Sequence, residues 1–224
     1  MPTPRYCLSQ ESADYRHKRQ ELLDAEIALR DQRERVAELR RQLPRDTVVE
    51  DQWFEEVDGS GKRSIQLSEL FADPQKPLVL MHFMFGKQQT RACPSCTAWA
   101  DGYSGVGKHL SQRVNFAVLV AGDVHEFKAF ADGRGWGGMR LVSAAESTLK
   151  QDLGVETPDG GQEPGVSVFT LEGGEVRHVY TGGAIMDKDT SLYRGMDLLS
   201  PIWHFLDLTP DGRGDWLPEL AYDG

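Results

Sequence analysis

The segment Leu78–Ala100 constrains the fold most, because it predicts a buried strand, a short loop and a helix that opens with two cysteines. The helix begins with Cys93, Pro94, Ser95 and Cys96. At a helix N-terminus, unpaired backbone N–H groups and the positive end of the helix dipole favour thiolate over thiol. A second cysteine one helical turn later can attack a mixed disulfide and release its other half. The pattern therefore predicts thiol–disulfide chemistry, with Cys93 as nucleophile and Cys96 as resolving thiol.

Length and charge limit the classes of protein to consider. The 224 residues suffice for one well-cored domain and an appendage. A formal net charge of -10 argues against binding to nucleic acid or to an anionic membrane, since both need a basic face. We find no secretory signal and no apolar run near the roughly 18 residues of a spanning helix. We therefore expect a cytoplasmic protein, in which a cysteine pair rests reduced and cycles.

The N-terminal part of the chain predicts one long helix from about residue 10 to residue 43, a stretch without Gly or Pro. An apolar stripe recurs along it every seven residues, at Leu22, Leu29, Val36 and Leu43. Pro44 ends the helix. We expect residues 1–46 to pack on the main domain or on a second copy in a homodimer, and residues 47–224 to form the main domain.

The main domain predicts strands that alternate with helices, followed by an antiparallel hairpin. In chain order the predicted elements are a hairpin at 52–67, a strand at 78–85, a helix at 95–110, a strand at 114–120, a helix at 124–133, a strand at 140–143, a hairpin at 165–180 and a helix-like run at 196–206. This order predicts an α/β fold. Specifically, it indicates a thioredoxin-like three-layer sandwich with an N-terminal β-hairpin extension and a long N-terminal helix.

Most of the chain resembles a thioredoxin-like family of predicted dithiol-disulfide oxidoreductases long catalogued as a domain of unknown function. The stretches that carry the resemblance are HFMFG at 82–86, CPSCTAWAD at 93–101, PGVSVF at 164–169, the N-terminal helix and the segment from Tyr193 onward. The resemblance implies dithiol chemistry at Cys93 and Cys96. Such chemistry needs no bound cofactor, because an external thiol reductant supplies the electrons.

Thr90 leaves a second interpretation open. Peroxiredoxins carry Pro-x-x-x-Thr-x-x-Cys, in which the Thr hydroxyl hydrogen-bonds the reacting cysteine and the peroxide. Here Thr90 and Cys93 match this pattern, while Gly86 stands at the proline position. In this interpretation Cys93 passes to a sulfenic acid, which Cys96 or Cys7 resolves. The candidates by position for the arginine of such a site are Arg91 and Arg140.

Pro94 and Ser95, between the cysteines, are candidate supports of the pair, and so are Pro164, Gly165, Trp99 and His82. Pro164 precedes the penultimate strand, where thioredoxin folds keep a cis-proline that faces the sulfurs, and Gly165 is the alternative occupant of that position. Trp99 is expected to pack and Asp101 to be solvated on the cysteine-bearing helix. His82 alternates with apolar residues in the central strand, a pattern that favours a hydrogen-bonded core histidine over a proton shuttle.

A zinc site and a non-catalytic scaffold are the alternatives to a redox-active cysteine pair. A structural zinc ion normally has four ligands, and only Cys7 and a histidine are left to complete such a set, so we predict no metal. A non-catalytic scaffold that dimerises through its N-terminal helix remains open. The partners implied by the catalytic hypotheses are a protein or small-molecule disulfide, thiol or peroxide, and an external thiol.

Overall fold

The computed structural model describes residue 4 and residues 6–58, 61–184, 195 and 197–222. The chain divides into two compact units, Met1–Pro44 and Arg45–Gly224. The first contains helix α1, Ala13–Arg41, which begins after Ser12. The Ser12 hydroxyl accepts a hydrogen bond from a backbone N–H of the first turn, and two arginines in the last turn complement the helix dipole. What the apolar stripe of this helix packs against stays a prediction.

The second unit is built on one seven-stranded mixed sheet. Its strands are β1 (Trp53–Asp58), β2 (Gly61–Gln66), β3 (Leu78–His82), β4 (Asn115–Val120), β5 (Arg140–Ser143), β6 (Gly165–Glu172) and β7 (Glu175–Gly183), in the order β2-β1-β5-β4-β3-β6-β7. Its helices are α2 (Pro94–Leu110), α3 (Val124–Gly133), α4 (Leu149–Asp152) and α5 (Pro201–Leu206), with 3-10 turns at Leu67–Leu70 and Asp197–Leu199.

The pairing of these strands confirms the predicted fold class. β3 runs parallel to β4 and antiparallel to β6, and β6 continues into its antiparallel neighbour β7. With α2 connecting β3 to β4, these four strands form the thioredoxin-like core. The β1–β2 hairpin joins the sheet through an antiparallel contact with β5, and it is the predicted N-terminal extension.

The two faces of the sheet are covered by different elements. Side chains of α2 and α3, including Cys96, Trp99 and Phe127, pack on the face that carries Met81 of β3. The opposite face is covered by the first 3-10 turn and by Leu149 of α4. The second unit therefore has three layers. Among the described residues, no helix combines the length and apolar character that crossing a bilayer requires.

Two helices differ from those expected from the sequence. Helix α4 was not predicted, because four residues are too few to show a helical period. The regular helix of the C-terminal part begins only at Pro201. Residues 193 and 196, on which the family resemblance and the predicted start of that helix fell, lie outside the described residues.

The loop that leads from β3 to Cys93 is fixed on the end of β4. Phe83 donates its N–H to the carbonyl of Leu119 at 2.9 Å, and Gly122 donates its N–H to the carbonyl of Phe85 at 2.8 Å. Phe83 and Phe85 both pack on the ring of Phe127, with ring centroids 4.9 and 5.6 Å away. The loop therefore delivers the cysteine pair to a defined place above the sheet.

Substitution of Gly122 tests this attachment. A Cβ at Gly122 would lie 2.7 Å from Phe85 Cδ1 and 2.8 Å from the carbonyl oxygen of Gly86, so Gly122→Ala must displace the loop. We expect a loss of about 1–3 kcal/mol in the free energy of unfolding, measured by urea denaturation, as for other overpacked sites.

Gly105→Ala is the matched control, because nothing lies within 4 Å of a Cβ at this position of α2. It should instead stabilise the protein by about 0.5–1 kcal/mol, the difference between Gly and Ala inside a helix. A Gly122→Ala protein as stable as the wild type would contradict the account of the loop.

Candidate active site

Cys93 is the residue that caps helix α2. Its backbone is extended, with φ -68° and ψ 123°, and its Sγ accepts a hydrogen bond from the N–H of Cys96 at 3.4 Å. Pro94 occupies the first helical position, where a missing N–H costs nothing. The carbonyl of Cys93 accepts two hydrogen bonds from Thr97, one from the backbone N–H at 2.9 Å and one from the hydroxyl at 2.8 Å. Cys93 is thus held by hydrogen bonds to both its side chain and its backbone.

The two thiols differ in exposure and in pKa. Cys93 is half-buried, whereas Cys96 is 2% exposed, and both are free thiols. The hydrogen bond from the Cys96 thiol lowers the pKa of Cys93 to about 7, with the N–H groups of Cys96 and Ser95 adding to the effect and burial opposing it. The same hydrogen bond and burial raise the pKa of Cys96 well above its ordinary value. At neutral pH roughly half of Cys93 is therefore thiolate while Cys96 stays protonated.

A buried lysine interacts electrostatically with Cys96. Lys150 of α4 is fully buried, and its Nζ has no hydrogen-bond partner within the described part of the chain. Burial lowers the pKa of Lys150 to about 8, while the charges of Glu156 and Cys96 act in the opposite direction. An unpaired buried ammonium is costly, so Lys150 is a candidate functional residue. Sequence reasoning missed Lys150, because a single lysine in a polar run predicts a solvated side chain.

His82 is a hydrogen-bonded core histidine, the arrangement that its place in the sequence favoured. It is fully buried, and its Nε2 lies 2.7 Å from the hydroxyl of Ser167, which in turn lies 2.7 Å from the hydroxyl of Thr181. Burial, and then the charge of Lys150, lower the pKa of His82 well below its usual range. His82 is therefore neutral at physiological pH and supplies no proton to the cysteines.

Pro164 and Gly165 lie at the start of β6. The peptide bond before Pro164 is trans, so the cis-proline that the resemblance implied is not found here. Gly165 is paired with His82 across the sheet. A Cβ on Gly165 would lie 2.9 Å from the carbonyl oxygen of Gly182, so the neighbouring strand leaves no space for a side chain there.

The residues that a peroxidase would use, Thr90, Arg91 and Arg140, are exposed or bound to groups other than Cys93. Thr90 and Arg91 are exposed, and within the described residues no hydrogen bond joins Thr90 to Cys93. Arg140 is ion-paired with Glu56 at 2.8 Å. Among the described residues, the Thr90 hydroxyl therefore makes no hydrogen bond to Cys93, and the Arg140 guanidinium is bound to a carboxylate.

Asp101 is also not the solvated residue that the sequence predicted. It is half-buried, and it accepts hydrogen bonds from the indole N–H of Trp136 at 2.8 Å and from the guanidinium of Arg134. The reason for the error is that both partners follow α3, more than thirty residues away in the chain. No cluster of three or more potential metal-ligating side chains occurs among the described residues.

A cavity of about 740 Å³ opens beside Cys96. The candidate residues Ser95, Cys96, Trp99 and Pro164 all contribute to its lining. Further lining residues are Met84, Gln162, Glu163, Ala184, Ser200, Trp203, Arg213, Gly214, Asp215, Trp216 and Leu217. Most of these further lining residues lie in the C-terminal segment, residues 199–220, which the sequence patterns had not connected with the cysteines. In the sequence, only Trp203 and Trp216 could have indicated a cavity in this segment, and the spacing of two tryptophans does not identify a binding site.

The chain belongs to the family described as "Bacterial protein of unknown function (DUF899)", whose profile matches residues 7–221. No protein in the curated collection matches the sequence significantly.

Several solved structures are similar to parts of the chain. Reduced Prx3 of Vibrio vulnificus in complex with hydrogen peroxide has a TM-score of 0.49 and 15% identity, over 72% of this chain and 99% of its own. The mitochondrial 2-Cys peroxiredoxin of Plasmodium falciparum has a TM-score of 0.47 and 16% identity, over 77% and 98%. The bacterioferritin comigratory protein of Xanthomonas campestris has a TM-score of 0.47 and 15% identity, over 72% and 94%.

Substitution of Cys96 tests the origin of the low Cys93 pKa. Cys96→Ala removes the side-chain donor, so the pKa of Cys93 should rise towards that of an ordinary thiol, whereas Cys96→Ser keeps a hydroxyl donor and should raise it less. The measurement is the pH dependence of alkylation at Cys93, resolved by peptide mass spectrometry. Equal Cys93 pKa values in the wild type and in both variants would refute the proposed cause.

Proposed function

We propose that the protein is a thiol–disulfide oxidoreductase in which Cys93 attacks the substrate and Cys96 resolves the intermediate. The observation that carries this proposal is the asymmetry of the pair. Cys93 is accessible and has its pKa lowered to about 7, whereas Cys96 is buried and protonated, with its N–H 3.4 Å from the Cys93 sulfur. A nucleophile partly ionised at neutral pH next to a protected second thiol is what two-step disulfide exchange needs.

The reaction proceeds by two exchanges. The Cys93 thiolate attacks one sulfur of a disulfide R–S–S–R′, forming a mixed disulfide with R′S and releasing RS⁻. Cys96 then attacks Cys93 Sγ, closing the Cys93–Cys96 disulfide and expelling R′S⁻, and the proton that Cys96 loses ends on the expelled thiolate. Two molecules of an external thiol reduce the protein again, so no bound cofactor takes part. In a reducing compartment such as the cytoplasm the pair returns to the dithiol.

Lys150 assists the second exchange. A thiol as strongly buried as Cys96 ionises reluctantly, and the positive charge of Lys150 acts against that tendency by lowering the pKa of Cys96. Lys150 and Cys96 are both buried, so water screens the electrostatic interaction between the ammonium and the thiolate only weakly. Lys150 is therefore a positioned charge that stabilises the resolving thiolate as it forms.

The hydroperoxide alternative receives less support from the site. It needs a hydroxyl donor on Cys93, and Thr90 is exposed with no hydrogen bond to that cysteine among the described residues. The scaffold alternative gives no reason for the lowered pKa of Cys93. Disulfide exchange uses both observed properties of the pair.

A turnover assay with matched serine variants tests the proposed function. With a small disulfide and a coupled thiol reductant, Cys93→Ser should abolish turnover and Cys96→Ser should accumulate a mixed disulfide at Cys93. Cys7→Ser is the control, because Cys7 lies in the other compact unit, and its activity should equal that of the wild type. Full disulfide turnover by Cys93→Ser, or rapid consumption of hydroperoxide in its place, would refute the proposal.

Replacement of Lys150 tests the role of the buried charge. Lys150→Met should slow the decay of the mixed disulfide at pH 7, because loss of the positive charge raises the pKa of Cys96 and so lowers its thiolate fraction. The first step, the attack by Cys93, should keep its rate and its pH profile. Stopped-flow measurement separates the two steps, and Lys108→Met, at an exposed lysine of α2, is the control. An unchanged decay rate in Lys150→Met would contradict this role.

A further inference from the structure

The C-terminal segment that forms one wall of the 740 Å³ cavity is attached to the helices of the domain. The Tyr103 hydroxyl of α2 donates a hydrogen bond to the carbonyl of Leu199 at 3.0 Å. Arg134, which follows α3, donates a hydrogen bond to the carbonyl of Leu220 at 2.9 Å. The C-terminal segment is therefore attached to the domain at both of its ends. The cavity between this segment and Cys96 is part of the folded domain.

Three indole rings contribute to the lining of this cavity. Trp203 and Trp216 meet edge to face with ring centroids 5.9 Å apart, and Trp99 of α2 contributes a third indole. Met84 and Leu217 add further apolar surface. Rings and a thioether present flat, polarisable surfaces to a ligand, which suits an aromatic or aliphatic group.

The charged residues of the lining disfavour an anionic ligand. Arg213 is the one cation among the described lining residues. Its guanidinium is ion-paired with Asp197 at 3.1 Å and with Asp207, and it lies 5.1 Å from the ring centre of Trp203. Glu163 and Asp215 add two carboxylates to the same lining. The described wall thus offers no uncompensated positive charge to an anion.

From these observations, and resting on the proposed function, we propose that the cavity selects small disulfides whose bodies are uncharged and aromatic or aliphatic. Its volume lies within the range of about 300–1,000 Å³ that is typical of small-molecule sites. Ser95 and Cys96 belong to its lining, and the N–H of Cys96 lies 3.4 Å from Cys93 Sγ. A disulfide attacked by Cys93 can therefore leave one organic half against the tryptophans.

The chemical step is the first exchange of the proposed function. The Cys93 sulfur forms a bond to one sulfur of the substrate, the substrate S–S bond breaks, and the organic thiolate that leaves takes a proton from solvent. The cavity binds the organic group of the substrate, and it neither donates nor accepts electrons.

Two aromatic disulfides that differ in charge test the selectivity. Neutral 4,4′-dithiodipyridine and the dianionic 5,5′-dithiobis(2-nitrobenzoate) are each reacted with the reduced protein, and each rate is divided by the rate with 2-mercaptoethanol to remove intrinsic reactivity. We expect the wild type to favour the neutral compound by about tenfold on this normalised scale. Asp215→Asn should narrow the difference by speeding the reaction with the dianion.

Tryptophan variants locate the effect in the cavity. Trp203→Ala and Trp216→Ala should each lose roughly fivefold in kcat/KM for the neutral aromatic disulfide, mainly through a higher KM. Trp53→Ala, at an exposed tryptophan of β1 outside the cavity, should react as the wild type does. Equal normalised rates for the two disulfides, or equal losses in all three variants, would overturn the inference while leaving the proposed function intact.

A binding experiment separates the cavity from the reactivity of the cysteines. A neutral diaryl thioether contains no bond that a thiol cleaves, so its affinity, measured by calorimetry, reports the cavity alone. We expect saturable binding to the wild type and to Trp53→Ala, and weaker binding to Trp203→Ala. If Cys93 proves unreactive but this binding is found, the proposed function fails and the ligand class stands. If no thioether binds, the inference fails whatever the cysteines do.

Discussion

The hydrogen bonds that converge on the sulfur of Cys93 are the constraint on which the site depends. They require Cys93 to stand immediately before the first turn of α2, so that the N–H and the thiol of Cys96 both reach its sulfur. That position is set by the loop after β3, which is attached to the end of β4 through Phe83 and Phe85. The sheet therefore acts on the chemistry through backbone hydrogen bonds and aromatic packing.

Burial gives the two cysteines different roles although they are three residues apart. The same hydrogen bond lowers the pKa of one thiol and raises that of the other, because the donor must keep its proton. Lys150 limits the rise at Cys96, at the cost of a buried ammonium without a hydrogen-bond partner among the described residues.

Local patterns predicted the core of the fold and the cysteine pair, because each has a short-range signal. Short apolar runs bounded by turn residues identified the strands. Cys93 and Cys96 are three residues apart, so their spacing alone places them on one helical turn. The parts that sequence reasoning missed depend on contacts between distant segments. Lys150 is buried only because α4 packs beneath the sheet, and Asp101 is bound by residues after α3. The cavity joins residues near 95 to residues near 215, and no local pattern links them.

The central claim is that Cys93 and Cys96 form one reversible redox couple. The most direct measurement is peptide mapping of the full-length protein after reaction with one equivalent of a small disulfide, with the remaining thiols alkylated. The account predicts an intramolecular Cys93–Cys96 disulfide, with Cys7 alkylated and full reversal by an added thiol. A product in which Cys93 and Cys96 are both still alkylated, or in which the disulfide formed involves Cys7, would contradict it.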